Sequence, residues 1–178
     1  MEKRGLLLVY TGDGKGKTTA ALGLAMRAWG DGLRVLILQF IKGGWEYGEL
    51  RAAEALAKVD GRIAIEQCGL GFTRKGDKKS EEHQRAARAA LEKARAAITG
   101  CAWDLVILDE INYAVKFGLI SVDALMDLVA ARPPELHLLL TGRDACPELI
   151  ARADLVTEMR LVKHPFQQGI KAQKGIEF

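Results

Sequence analysis

Two groups of residues have the types and spacing for chemistry. The first is Gly12-Asp13-Gly14-Lys15-Gly16-Lys17-Thr18-Thr19, a loop of small and polar residues closed by a Lys-Thr pair. It follows the apolar run Leu6-Leu7-Leu8-Val9-Tyr10 and precedes a run of Ala, Leu and Met. Strand, Gly-rich loop and helix in that order form a phosphate cradle. Glycine lets backbone N–H groups converge on an anion because no Cβ blocks the turn. The helix N-terminus adds unpaired N–H groups and a favourable dipole. Lys17 is expected to put its ammonium on the phosphates, and Thr18 its hydroxyl on Mg²⁺. A tight turn without a ligand would not need Lys17 and Thr18 at the helix start. One position departs from the pattern Gly-x-x-x-x-Gly-Lys-[Ser/Thr]: the first glycine is Thr11. The loop is therefore expected to differ in shape, with Gly12 and Gly14 compensating.

The second group is Asp109-Glu110, at the end of the apolar run Leu105-Val106-Ile107-Leu108. A carboxylate at such a strand end can hold Mg²⁺ directly or through water, or orient a reactant. An acidic strand end alone is weak evidence; paired with the phosphate cradle it is strong. Thr18, Glu110 and Asp109 are thus the expected metal set.

These residues need a scaffold, and the chain reads as one. Apolar strands are expected at 6–10, 34–40, 62–67, 105–110, 136–140 and 155–161. Helices are expected from residue 17 to about 29, over 49–58 and 80–99, in two runs between the fourth and fifth strands, and over 147–153. The core strands are apolar on both faces, as a parallel sheet between two helical layers requires. Ser80 with Glu81 and Glu82 opens one helix, and Gly100 closes it. The fold class is α/β: a doubly wound, mainly parallel sheet of about six strands of the P-loop NTPase, RecA-like type, as one domain over residues 1–178. Ligands of such sheets sit at the carboxyl edge of the strands. Arg143 falls there, where it either meets phosphate or pairs with a carboxylate. Lys42 and Trp45 lie in a Gly-rich loop at the same edge, which either faces a ligand or folds its aromatics onto the core. Residues 68–79 form a long Gly- and Lys-rich loop of the kind that often carries function. Residues 163–178 are polar with isolated apolar positions and are expected to lie across the surface.

The bulk properties agree with this reading. The chain has 178 residues, enough for one packed domain, and a net charge of +3, too mild to demand nucleic acid. Neither a signal peptide nor a membrane span is legible. Cys68, Cys101 and Cys146 suit reduced cytoplasmic thiols, without disulfide or zinc spacing. His83, His137 and His164 have no ligand spacing, and no Ser/His or Cys/His nucleophile set is present.

Several segments together resemble the P-loop type ATP:cob(I)alamin (corrinoid) adenosyltransferases. They are residues 10–21, Gln39-Phe40-Ile41-Lys42-Gly43, Gly71-Phe72-Thr73, Leu108-Asp109-Glu110, Thr141-Gly142-Arg143, Val162-Lys163-His164-Pro165-Phe166 and residues 169–176. The resemblance spans nearly the whole chain, and Thr in place of the first glycine is itself a family trait. It implies that cobalt(I) of a reduced corrinoid attacks C5′ of ATP and that triphosphate leaves. It also implies a nucleotide reversed in the cradle, a homodimer, and a flavin-dependent reductase as supplier of cobalt(I). Lys17, Thr18 and Glu110 are then the catalytic set. Phe72, Arg74, Lys42 and Trp45 face the corrinoid. Two departures stand out. Relatives often carry a second aromatic where this chain has Arg74: either Phe72 acts with another residue, or Arg74 contacts the corrinoid's polar rim, or the loop is less able to displace a lower ligand, and a preference for corrinoids without a firmly held lower base is the expectation. Relatives also often carry a longer segment before the first strand that covers the corrinoid. A P-loop phosphotransferase or ATPase, and a non-catalytic ATP-gated corrinoid-binding protein, are the alternatives.

Overall fold

Alternate residues of the inner strands feed two different cores. In the computed structural model, which describes residues 4–44, 46–71 and 80–177, β1 (Leu7–Thr11) sends Leu7 and Val9 to one face and Leu8 to the other. β4 (Leu105–Asp109) splits in the same way, with Val106 and Leu108 opposite Leu105 and Ile107. The strands β2 (Val35–Gln39), β3 (Ile63–Gln67), β5 (His137–Thr141) and β6 (Leu155–Glu158) complete one sheet in the order β3-β2-β4-β5-β1-β6. Every pairing is parallel. The expected mainly parallel sheet is thus wholly parallel, and an inner strand covered on both sides must be apolar on both faces.

Helix α1 (Lys17–Gly30) covers one face with Ala21, Ala25 and Ala28, whose small side chains let it approach the strands closely. Leu56 and Ala57 of α2 (Gly48–Asp60) pack on the same core. The other face is covered by α3 (Ser80–Thr99), α4 (Ile111–Lys116), α5 (Val122–Ala130) and α6 (Pro147–Arg152), through Ala87, Ala90, Ile98, Ile111, Leu125 and Leu149. Ser121 caps α5 by accepting a hydrogen bond from Ala124 N, as its position before the apolar run predicts. His137 is a packed residue whose Nδ1 accepts the Leu6 N–H at 3.2 Å.

The edge strand differs from expectation. It stops at Glu158 rather than 161, and all four of its residues are exposed. The chain just beyond it passes from the end of β1 to the phosphate loop: Met159 N donates to Thr11 O at 2.9 Å, and Gly14 N donates to Met159 O at 2.7 Å. A Cβ on Gly14 would lie 2.8 Å from backbone atoms of Met159 and Arg160, and one on Gly12 would lie 2.4 Å from Met159 O. Backbone cannot yield as a side chain can. Gly14→Ala is therefore expected to cost about 1–3 kcal/mol, read as a fall in thermal midpoint of about 2–4 °C per kcal/mol.

Candidate active site

The phosphate loop joins β1 to α1. Gly16 is the N-cap at φ 118°, a conformation open to glycine but strained for other residues. Lys17, Thr18 and Thr19 are then the first helical residues, whose N–H groups have no partner within the helix. Ala20 N, one residue on, already donates to Gly16 O at 2.7 Å. The Lys17 ammonium curls under the loop and donates to Gly12 O at 2.7 Å and Gly14 O at 2.8 Å. Lys17 is buried. Burial lowers its pKa, and Glu110 is the chief group opposing that shift. The Thr11 hydroxyl accepts the Ala145 N–H at 3.1 Å, tying the loop to the chain before α6. Thr11, read as a departure from the pattern, thus has its own structural work.

Asp109 and Glu110 are neighbours with different surroundings. Asp109 is 1 % exposed. Its Oδ1 accepts the Thr18 hydroxyl at 2.8 Å and the Thr141 hydroxyl at 2.8 Å, and its Oδ2 accepts Gln39 Nε2 at 3.3 Å. Glu110 instead faces the cleft above the loop. It sits at φ 61°, left-handed backbone that is rare outside glycine, as the N-cap of α4. Strain of this kind is common at functional sites. Thr141 secures the turn by accepting the Glu110 N–H at 2.9 Å. Burial raises the Glu110 pKa, Asp109 adds to the rise, and Lys17, Lys42 and Arg143 oppose it. Thr141→Val keeps the shape but leaves the Glu110 N–H without its acceptor. It is expected to cost about 1–3 kcal/mol, measured by urea unfolding.

The cleft has a volume of about 1300 Å³. The loop and α1 form its floor, with Arg143 and Glu110 beside them. Lys42 and Tyr47 form one side; Lys42 pairs with Glu49 at 2.8 Å, and its Nζ lies 4.3 Å from the Tyr47 ring centre. The far wall is the C-terminal segment, with His164, Phe166, Ile176 and Glu177. Glu177 lies 4.0 Å from the Lys15 ammonium. The segment after residue 162 thus reaches the nucleotide loop as well as lying on the surface. Of the residues singled out in the sequence, Asp13, Gly14, Lys15, Gly16, Lys17, Thr18, Thr19, Lys42, Glu110 and Arg143 line this cleft. Gly12 contributes its carbonyl from below. Asp109 stands behind Thr18. Trp45, Phe72 and Arg74 lie outside the described residues. Sequence reasoning missed Thr141 and Gln39 as site residues; the signal was a polar residue ending an otherwise apolar strand.

A parallel sheet with a phosphate loop after β1 and an acidic pair at the end of β4 defines a P-loop nucleotide-binding protein of the RecA-like type. The backbone is similar to that of the flagellar accessory protein FlaH from Methanocaldococcus jannaschii, with a TM-score of 0.60 at 12 % identity over 88 % of this chain and 71 % of that one. The chain belongs to the ATP:corrinoid adenosyltransferase BtuR/CobO/CobP family, whose pattern matches residues 3–178. It is 42 % identical to the corrinoid adenosyltransferase of Pseudomonas aeruginosa over 99 % of this chain and 85 % of that protein. It is 36 % identical to the corrinoid adenosyltransferase of Escherichia coli K12 over 99 % of this chain and 87 % of the relative. Among the described residues no helix is long and apolar enough to cross a membrane.

Proposed function

We propose that this protein transfers the 5′-deoxyadenosyl group of ATP to the cobalt(I) of a reduced corrinoid, releasing triphosphate. The observation that carries this reading is the joining of the family match over residues 3–178 to a cleft built on a phosphate loop. Cobalt(I) supplies the electron pair, a cobalt–carbon bond forms, and the C5′–O bond breaks with its electrons going to triphosphate. The cobalt ends as cobalt(III). Cobalt(I) is already a strong nucleophile, so no side-chain base is needed, in keeping with the missing Ser/His or Cys/His set.

The residues do the remaining work by binding and positioning. Lys17 and the N–H groups at the start of α1 hold the triphosphate and stabilise the charge that grows on it. Arg143 adds a second cation on the same floor. The donor set suits Mg²⁺, which keeps several waters and takes one or two protein oxygens beside phosphate. Thr18 and Glu110 would hold the ion, and it would supply further charge neutralisation on the leaving group. Asp109 orients Thr18 from behind. Lys42 faces the corrinoid side together with Trp45, Phe72 and Arg74; the lower-base preference attached to Arg74 is part of this proposal. The protein works in the cytoplasm and receives cobalt(I) from a flavin-dependent reductase.

A second copy covers the exposed edge of the sheet. Leu155 and Val156 are exposed on the edge strand β6, and Val162, four residues past its end in the chain, is 94 % exposed. Exposed apolar edges of this kind are liabilities unless covered. Light scattering is expected to give twice the 19.4 kDa chain mass, and a strict monomer would remove the homodimer from the reading. The enzyme reading is tested by anaerobic incubation of protein, Mg-ATP and chemically reduced corrinoid. A light-sensitive adenosyl product that needs the protein supports it; an unchanged corrinoid spectrum contradicts it.

A further inference from the structure

Gln39 is the only polar residue of β2, and it is 1 % exposed. It lies in register with Gln67 of β3 on one side and with Asp109 of β4 on the other. The side chains follow the same row. Gln67 Nε2 donates to Gln39 Oε1 at 3.5 Å, and Gln39 Nε2 donates to Asp109 Oδ2 at 3.3 Å. Asp109 Oδ1 then takes the Thr18 and Thr141 hydroxyls. A buried carboxylate held by donors on both oxygens has a fixed plane. With Oδ2 released, it can turn about its last side-chain bond and carry the Thr18 hydroxyl with it.

The row is also the base of a cleft wall. Past the strand ends, Cys68 N donates to Gln39 O at 2.9 Å, Gly69 N to Lys42 O at 3.0 Å and Gly71 N to Ile41 O at 2.8 Å. The two loops approach so closely that a Cβ on Gly43 would lie 1.8 Å from Gly69 O. Gln39 therefore sits where the wall bearing Lys42 meets the carboxylate behind Thr18.

We propose that Gln39 is a positioning residue that locks the Asp109 carboxylate so that the Thr18 oxygen faces the nucleotide's divalent cation, making the protein selective for metal-bound over metal-free ATP. The inference rests on the P-loop reading of Thr18 and is independent of the corrinoid step. Gln39→Met keeps length and volume but has no amide. Titration calorimetry with ATP, with and without Mg²⁺, reads the effect without turnover. The wild-type protein prefers Mg-ATP. Gln39→Met lowers that preference about tenfold, through weaker Mg-ATP binding, while metal-free ATP binds within about twofold of wild type, a difference of roughly 1.4 kcal/mol. In a Thr18→Val background the same substitution changes the preference by less than about twofold, because the residue through which it acts is gone. Gln67→Met, at the outer end of the row, shifts the preference the same way by about two- to threefold and serves if Gln39→Met does not fold. Equal weakening of both nucleotide forms, or an unchanged preference in the variants, overturns the proposal. A wild-type protein with no preference for Mg-ATP overturns both this proposal and the magnesium reading. Failure of adenosyl transfer alone, with the preference intact, overturns only the enzyme reading.

Discussion

Lys17→Ala is expected to lower kcat/KM for ATP by about 10²–10³-fold, the usual cost of removing one preorganised donor from developing negative charge. The ammonium is already at the loop, held by Gly12 O and Gly14 O at 2.7 and 2.8 Å. Its geometry is thus set before the nucleotide binds. Lys17→Arg is expected to restore little of the loss, since a planar guanidinium cannot sit as a point charge between those carbonyls. The pH profile gives an independent check. Burial lowers the Lys17 pKa from the ordinary 10.5, so the free protein loses this charge earlier than an exposed lysine would. The kcat/KM profile should fall on its alkaline side with a midpoint below 10.5, and bound triphosphate should move the corresponding limb of kcat upward. Wild-type activity in Lys17→Ala would remove this residue from the site.

Glu110→Gln carries the second large effect, and it acts in opposite directions on activity and stability. Loss of the carboxylate that faces the cleft should lower kcat by about a hundredfold or more. The folded protein holds Glu110 above the ordinary 4.5, first through burial and then through Asp109. Between 4.5 and that raised value the folded state binds more protons than the unfolded chain. Stability therefore falls as pH rises through this window, and the penalty is complete above it. The neutral amide removes the penalty. Glu110→Gln is expected to melt higher than wild type at pH 7, with the gap closing toward pH 4. Thermal unfolding at the two pH values checks this. A variant that is inactive but not stabilised would mean that Glu110 is not the desolvated carboxylate described above.

These two residues also mark what could be read before the structure. Lys17 and the helix after it were legible because the cradle is local: apolar strand, glycines, Lys-Thr and helix lie within one stretch of chain. The alternation of apolar runs likewise announced a sheet between two helical layers, and α3 begins and ends where its Ser80 and Gly100 signals put it. The different surroundings of Asp109 and Glu110 were not legible. Both stand at one strand end, and only contacts to Thr18, Gln39 and Thr141, distant in the chain, turn one inward and leave the other in the cleft. The lateral strand order and the pairing of Met159 with Thr11 and Gly14 are hidden for the same reason. Gly14 reads as a phosphate-loop glycine, yet its N–H goes to Met159 O and its missing Cβ makes room for the chain after β6. The strand boundary at 158 was missed because the Met159 carbonyl accepts the Gly14 N–H of the phosphate loop, a choice made by tertiary contact rather than local propensity.

The central claim is that the loop grips a leaving group, and the fate of the three phosphorus atoms tests it most directly. Protein, Mg-ATP and chemically reduced cobalt(I) corrinoid are mixed anaerobically in single-turnover amounts and followed by phosphorus NMR. One inorganic triphosphate, with its three phosphorus atoms still joined, should appear for each adenosyl corrinoid formed. ADP with phosphate, or AMP with diphosphate, would show that a phosphoryl or nucleotidyl bond breaks instead and would contradict the account.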